Sequence, residues 1–282
     1  MRQFIVEKGR EKNGLITLEG KDYRYFRQVL RVKPGDMVNV RLPDGALSNA
    51  TVALVDEKQR RVTLQLCAST GGELSNEKSI TRGVQATEIE NSTAASGLSN
   101  TEYWLFQFLP RAQKFELIVR QATECGVAVI VPVIGEYTEK SSVQALQGAK
   151  RERLDRIIKE ARQQSGSPVE TKVLEPMSLE AAVELWRPVV ESAETSVGFV
   201  LSERDDCSGN LRSTVASAQN IKRAGIAVGS EGGISPDEVK YLQEKALFTP
   251  IHFAVNILRC ETAALYGIAA VQCEINQSQV GK

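Results

Sequence analysis

No two of the five cysteines stand close together: Cys67, Cys125, Cys207, Cys260 and Cys273 are scattered along 282 residues. That spacing excludes the paired ligands of a zinc site and the paired thiols of a redox motif. Reduced, mostly buried thiols are expected, with no disulfide and no structural metal. Long hydrophobic runs are missing as well. No stretch reaches the roughly 20 apolar residues of a membrane span, and Met1 to Glu7 lacks the apolar core of a secretory signal, so a cytoplasmic protein with no membrane partner is expected. Histidine is reduced to His252, which sits in a short apolar strand and is a poor candidate for a general base. Net charge is zero at neutral pH.

What is present is an ordinary globular composition, 42% hydrophobic and 25% charged, enough for one large or two moderate cores. Charge is unevenly shared. Residues 1 to 61 hold 13 Lys plus Arg against 8 Asp plus Glu. Much of that excess lies on Lys21, Arg24, Arg27, Arg31 and Lys33, interleaved with Tyr23, Tyr25 and Phe26. Such a mixture suits phosphates and bases together, or else a solvated helix whose aromatics face a core.

Residues 1 to 67 read as short strands at 3–6, 15–18, 37–41, 50–55 and 61–66, with turn signals at Lys33-Pro34-Gly35-Asp36 and Pro43-Asp44-Gly45. This is a small β-barrel pattern with one helix, Asp22 to Arg31, carrying Phe26, Val29 and Leu30 on its apolar face. Residues 68 to 101, rich in Ser, Thr, Gly, Asn and Glu, hold too little apolar material to offset ordering entropy and read as a flexible linker or insertion, with one edge strand conceivable at 84–89. From residue 102 onward strands at 103–109, 127–133, 170–174, 196–202 and 224–228 alternate with helices, which argues for an α/β domain with a largely parallel sheet. One helix presents Phe115, Ile118, Val119 and Ala122, and another Leu154, Ile157, Ile158 and Ala161. The last, from about Arg259 to Glu274, is apolar nearly all round and would need cover on both sides, from its own sheet and from a second subunit.

Two loops carry the chemistry. The first is Ile226-Ala227-Val228-Gly229-Ser230-Glu231-Gly232-Gly233-Ile234-Ser235, whose glycines allow positive φ and close backbone approach. It feeds a helix start with Ser235 at the N-cap, Pro236 at the first helical position and Glu238 completing a capping box. No Gly-Lys-Ser/Thr follows, and the spacing is not that of a dinucleotide fingerprint. The second is Asn256-Ile257-Leu258-Arg259-Cys260-Glu261-Thr262-Ala263, which places a charged pair at the start of an apolar helix, where a partner or a ligand is needed.

Gly229 to Ser235 followed by Ile257 to Leu265 resembles the C-terminal signature of the RsmE family, ribosomal RNA uracil-N3 methyltransferases of the SPOUT superfamily. Further segments resemble that family: Leu109-Pro110-Arg111 with Lys114, Gln121 to Val127, Val131-Pro132-Val133, Arg153 to Gly166, and at the front Arg2 to Val6 and Gln28 to Asp36. The resemblance implies a SPOUT-type parallel sheet with a deep trefoil knot (residues 102–282), a PUA-like RNA-binding barrel (residues 1–67), S-adenosylmethionine as cofactor, 16S rRNA of the small ribosomal subunit as substrate, and a homodimer. It implies a cofactor site at Val228, Gly229, Ser230, Glu231, Gly232 and Gly233 with Ala254, Val255, Asn256, Ile257, Leu258, Arg259 and Thr262.

Methylation at uracil N3 requires loss of the imide proton, which makes Arg259 the candidate for stabilising the developing charge and Glu231 and Glu261 candidates for accepting the proton or fixing Arg259. Arg2, Arg24, Arg27, Arg31, Arg111 and Lys114 are candidates for RNA contact. The chain departs from the family pattern at Ser230, where the family has Pro, at Ala254-Val255-Asn256, where it has Leu-Gly and one further residue, at Cys125 in Glu-Leu-Gly, and at Tyr137 in Glu-Arg-Ser. The alternatives are an RNA-binding protein of the same fold that has lost or altered the activity, and a thiol hydrolase using Cys260 with His252, for which no oxyanion motif is visible.

Overall fold

Alternation of apolar and polar residues dictates the strands of the N-terminal part. In Leu15–Leu18, Ile16 and Leu18 are fully buried while Leu15 and Thr17 face out. The computed structural model of the chain describes residues 3–67, 101–144, 146, 149–191, 195–203 and 209–280. The chain divides into two compact units, Arg2–Gly97 and Leu98–Lys282. The expected linker, Thr101 apart, and the edge strand at 84–89 lie outside the described residues.

The first unit holds β1 (Gln3–Ile5), β2 (Glu11–Lys12), β3 (Leu15–Leu18), β4 (Met37–Arg41), β5 (Leu47–Asp56) and β6 (Arg61–Leu66) in the order β1-β4-β5-β6-β3-β2. All neighbours are antiparallel except β1 and β4. The sheet is a half-barrel rather than a closed one, because β1 and β2 are its edges and do not pair with each other. A helix stands where one was expected, but its winding changes: α1 (Gly20–Arg24) passes into a π-helical turn, Tyr25–Leu30. The wider turn rotates the expected face apart. Phe26 is fully buried, edge-on to Phe4 at 5.0 Å, whereas Val29 is exposed.

The second unit holds β7 (Glu102–Phe108), α2 (Ala112–Glu124), β8 (Val129–Ile134), α3 (Lys140–Gln144), α4 (Ala149–Ser165), β9 (Lys172–Val173), β10 (Met177–Ser178), α5 (Leu179–Glu191), β11 (Thr195–Leu201), α6 (Leu211–Ser217), β12 (Ile221–Val228), α7 (Pro236–Ala246), β13 (Phe248–Ile251) and α8 (Cys260–Val280). Its strands run β10-β8-β7-β12-β11-β13, with β9 also on β8, and every pairing is parallel. Parallel sheets are covered on both faces, which is why these strands are apolar at successive positions. Leu105, Ile130, Phe199 and Ile226 pack against α2, α4, α6 and α8. Their neighbours Phe106, Val131, Val200 and Ala227 point the other way, against α5 and α7.

The faces expected of α2 and α4 are the buried ones. Helix α2 ends in a Schellman motif: Gly126 takes φ 76°, its N–H reaches the Thr123 carbonyl, and Val127 N–H reaches Ala122. Helix α8 runs six residues past its expected end at Glu274. Ala264, Ile268, Val271 and Ile275 are buried, but Thr262, Tyr266, Ala269 and Cys273 form an exposed stripe, so one face of the helix is uncovered within the single chain. Cys67 and Cys273 are exposed, so the four described cysteines are not mostly buried: strand β6 ends just before the first, and the second stands on that open stripe. Among the described residues no helix is long and apolar enough to cross a membrane, and no group of three or more His, Cys, Asp or Glu could hold a metal ion.

Candidate functional site

In an open parallel sheet, ligands gather beyond the carboxyl ends of the strands, where the backbone leaves the sheet and neighbouring connections diverge. Strands β11, β12 and β13 end side by side at Leu201, Val228 and Ile251, and a cavity of about 550 Å³ lies there. Its walls are the glycine turn after β12, the segment 252–260 after β13, Ser202 and Glu203 after β11, and the first turns of α7.

The glycine turn is closed by its own backbone. Gly233 N–H donates to the Ser230 carbonyl at 3.1 Å, with Gly233 at φ 79°. A side chain at Gly229 would put its Cβ 2.6 Å from the Gly233 carbonyl carbon, so the turn is as narrow as glycine permits. Ser230 is buried, and its hydroxyl accepts from Gly232 N–H at 3.4 Å. A side-chain hydrogen bond thus holds locally what a proline would have held by its ring. Tyr137 is seated against the same turn: a Cβ on Gly232 would stand 2.8 Å from the Tyr137 Cβ.

Helix α7 anchors the turn from the other end. Ser235 Oγ accepts from Glu238 N–H at 3.3 Å, and Glu238 Oε2 accepts from Ser235 N–H at 2.9 Å, the capping box read from the sequence. Glu238 Oε1 also accepts from Glu136 N–H at 2.7 Å, so the cap ties α7 to the segment after β8. In the second wall, none of Ala254, Val255 and Asn256 has a positive φ, so the absence of a glycine there imposes no backbone strain.

Of the residues expected at the cofactor, Val228, Gly229, Ser230, Glu231 and Gly233 line the cavity, as do Val255 through Arg259; Gly232, Ala254 and Thr262 do not. Arg259 is exposed where it lines the cavity, and its carbonyl caps α8 by accepting from Thr262 and Ala263 N–H. Glu231 and Glu261 converge on a third group, Lys114, whose Nζ is 3.5 Å from Glu231 Oε1 and 3.5 Å from Glu261 Oε2. Arg111 N–H adds a bond to Glu231 at 3.2 Å, while the exposed Arg111 side chain pairs with Glu139.

Electrostatics follow from that convergence. Burial of Lys114 works against its charge, but Cys260, Glu231 and Glu261 raise its pKa above the ordinary value, so it is an ammonium at neutral pH. Burial also opposes ionisation of Glu261, yet its own backbone N–H, the Cys260 thiol and Lys114 hold the carboxyl below its ordinary range. Burial, the bond to Glu261 and the charge of Glu231 push the Cys260 thiol up to about 12. That thiol is a donor, 3.2 Å from Glu261 Oε2, and not a nucleophile. His252 Nδ1 faces the Ser202 carbonyl at 3.3 Å. A thiol hydrolase built on Cys260 would lack the thiolate it needs at neutral pH.

The RNA candidates of the first unit separate. Arg27 is engaged by Glu57 and by the Val32 carbonyl, whereas Arg24 is exposed at the end of α1 and Arg31 is exposed in the left-handed region at φ 56°. Arg2 lies outside the described residues. Sequence reasoning missed Ser202, Glu203 and the walls from α7; the rule that ligands sit at carboxyl ends of parallel strands would have pointed to Ser202 and Glu203.

These residues fit a nucleoside-bearing amino-acid cofactor. The cavity combines apolar surface from Val228, Ile234 and Leu258 with the carboxylates of Glu203 and Glu231 and with backbone from the glycine turn and from the 252–260 segment. Comparison with known proteins agrees with that chemistry. A protein described as ribosomal RNA small subunit methyltransferase E 2, from Borreliella burgdorferi, is 25% identical over 95% of this chain and 96% of its own length. Ribosomal RNA small subunit methyltransferase E of Aquifex aeolicus is 32% identical over 53% of this chain and 58% of its own. The fold matches the crystal structure of a ribosomal RNA small subunit methyltransferase E from Neisseria gonorrhoeae bound to S-adenosyl methionine, with TM-score 0.69, 21% identity and 97% of each chain covered. The model of the RNA methyltransferase domain matches residues 98–272, well over half of the sequence and all of the cavity, and this chain therefore belongs to the RNA methyltransferase family.

Proposed function

We propose that the chain methylates N3 of a uridine in the 16S rRNA of the small ribosomal subunit, with S-adenosylmethionine as methyl donor. The observation that carries this reading is the cavity at the ends of β11, β12 and β13, walled by the glycine turn and by the 252–260 segment that leads to Arg259. Backbone groups of 228–233 and 255–258 would hold the cofactor, with Val228, Ile234 and Leu258 as its apolar bed. When bound, S-adenosylmethionine supplies a methyl group activated on a sulfonium.

The protein's own part is to orient the base and to manage a proton and a charge. Uracil N3 becomes nucleophilic as its imide proton leaves, and negative charge then spreads to the flanking oxygens. Arg259, exposed and lining the cavity, is the residue we assign to meet that charge. Glu231 lines the cavity and Glu261 does not, so Glu231 is assigned the proton.

The remaining features belong to the same reading. The path from β12 through α7 to the edge strand β13, then back in α8 against α2 and β12, suits a deep trefoil knot. The exposed stripe of α8, with Tyr266 edge-on to Phe253 at 5.0 Å, suits the interface of a homodimer. The half-barrel of the first unit, PUA-like in its strand-rich build, suits RNA, and ribosomal RNA as substrate implies a cytoplasmic place of work.

The test is incubation of the full chain with methyl-labelled S-adenosylmethionine and small subunits from cells lacking the gene, followed by mass spectrometry of the nucleosides. Label in N3-methyluridine is expected. Label in another nucleoside, or none, overturns the assignment, and failure to bind the cofactor by calorimetry would leave an RNA-binding protein of the same fold.

A further inference from the structure

Two carboxylates meeting at one ammonium pose an electrostatic problem that the proposed reaction does not by itself require. Glu231 belongs to the glycine turn and Glu261 to the first turn of α8, and both lie 3.5 Å from Lys114 Nζ on the first turn of α2. All three side chains are partly withdrawn from solvent, Glu261 most, at 16% exposure, so water screens their repulsion incompletely. Among the described residues no backbone hydrogen bond joins 229–233 to 254–259, the two walls of the cavity. Side chains have to connect them.

Resting on the cofactor reading of the cavity, we propose that Lys114 is a positioning residue of that site: its ammonium is the counterion that keeps Glu231 and Glu261 together and so clamps the glycine turn to the first turns of α2 and α8. Without it the like charges separate, and the walls that carry them separate too. An ammonium engaged by two carboxylates is also a poor partner for RNA phosphate, which moves Lys114 from the RNA surface to the pocket.

The clamp is tested by calorimetric titration of the full chain with S-adenosylhomocysteine, whose neutral thioether does not respond to a change in local charge as a sulfonium would. Lys114→Met should weaken binding about tenfold, Lys114→Arg should stay within about threefold of wild type, and the double variant Lys114→Met/Glu261→Gln should recover most of the loss, because one carboxylate no longer needs a counterion. Lys114→Gln replaces the Met variant if urea unfolding shows that the latter has lost its fold. Unchanged affinity in the single variant, or a double variant no better than the single one, overturns the clamp. A wild-type chain that takes up no S-adenosylhomocysteine overturns the cofactor reading itself, and the clamp with it.

Discussion

Arg259 and Cys260 are adjacent in the chain and opposite in electrostatic situation. Arg259 is exposed at the cavity rim, and Cys260 is buried with its thiol on Glu261. Arg259→Ala should therefore lower methyl transfer about 100-fold or more, the usual cost of losing a group that meets developing charge, while the urea midpoint stays within experimental error. Intact activity would make the arginine structural. Cys260 makes a pH prediction. Its folded pKa of about 12 lies above the ordinary thiol value of 9.0, so above pH 9 the unfolded chain releases a proton that the folded chain keeps. Stability conferred by the neutral thiol is present below pH 9 and is lost as pH rises towards 12. Urea unfolding between pH 8.5 and 10.5 should show wild type losing stability more steeply than Cys260→Ala, by up to about 1.4 kcal/mol per pH unit. Equal slopes would contradict the buried thiol. At this scale the motif Arg259-Cys260-Glu261 was visible in the sequence, but the partner of Glu261 was not: Lys114 is 147 positions away from it, and nothing local announces the meeting.

Helix α7 and the glycine turn show how far local rules reach. The capping box of Ser235 and Glu238 follows from residue type and spacing alone, and it is present in the structure. Ser235→Ala should cost about 1 kcal/mol, read as a lowered urea midpoint with unchanged slope. The turn is stricter. Gly229→Ala would force a Cβ to within 2.6 Å of the Gly233 carbonyl carbon, so the cavity-facing backbone must shift; S-adenosylmethionine affinity should fall at least about tenfold, and unaltered affinity would remove the turn from the proposed cofactor site. The π-helical turn at Tyr25–Leu30 marks the limit of pattern reading. Phe26, Val29 and Leu30 fit a helical face, yet the wider winding leaves Val29 in solvent, because burial of Phe26 against Phe4 is decided by the sheet beneath it.

For the molecule as a whole, the proposals divide labour between the two units. Replacing Arg24 and Arg31 together by Ala should weaken RNA binding and flatten its salt dependence by about 1.5 units of log-log slope, with S-adenosylmethionine affinity unchanged; an unchanged slope would take the first unit off the RNA. Ala269→Glu sets a charge on the open stripe of α8, and sedimentation velocity should then report a monomer in place of the proposed wild-type dimer; a wild-type monomer would overturn the proposed dimer. The sequence by itself determined the class of each unit, the amphipathic faces of α2 and α4, the cap of α7 and the glycine turn, because each depends on residues within about one or two turns of chain. It also held a family signature long enough to name a reaction. Only the tertiary structure decided that β11, β12 and β13 end together, that Lys114 stands between Glu231 and Glu261, and that one stripe of α8 is left uncovered, since strand order and side-chain meetings across more than a hundred residues arise from packing the whole sheet and leave no local pattern to read.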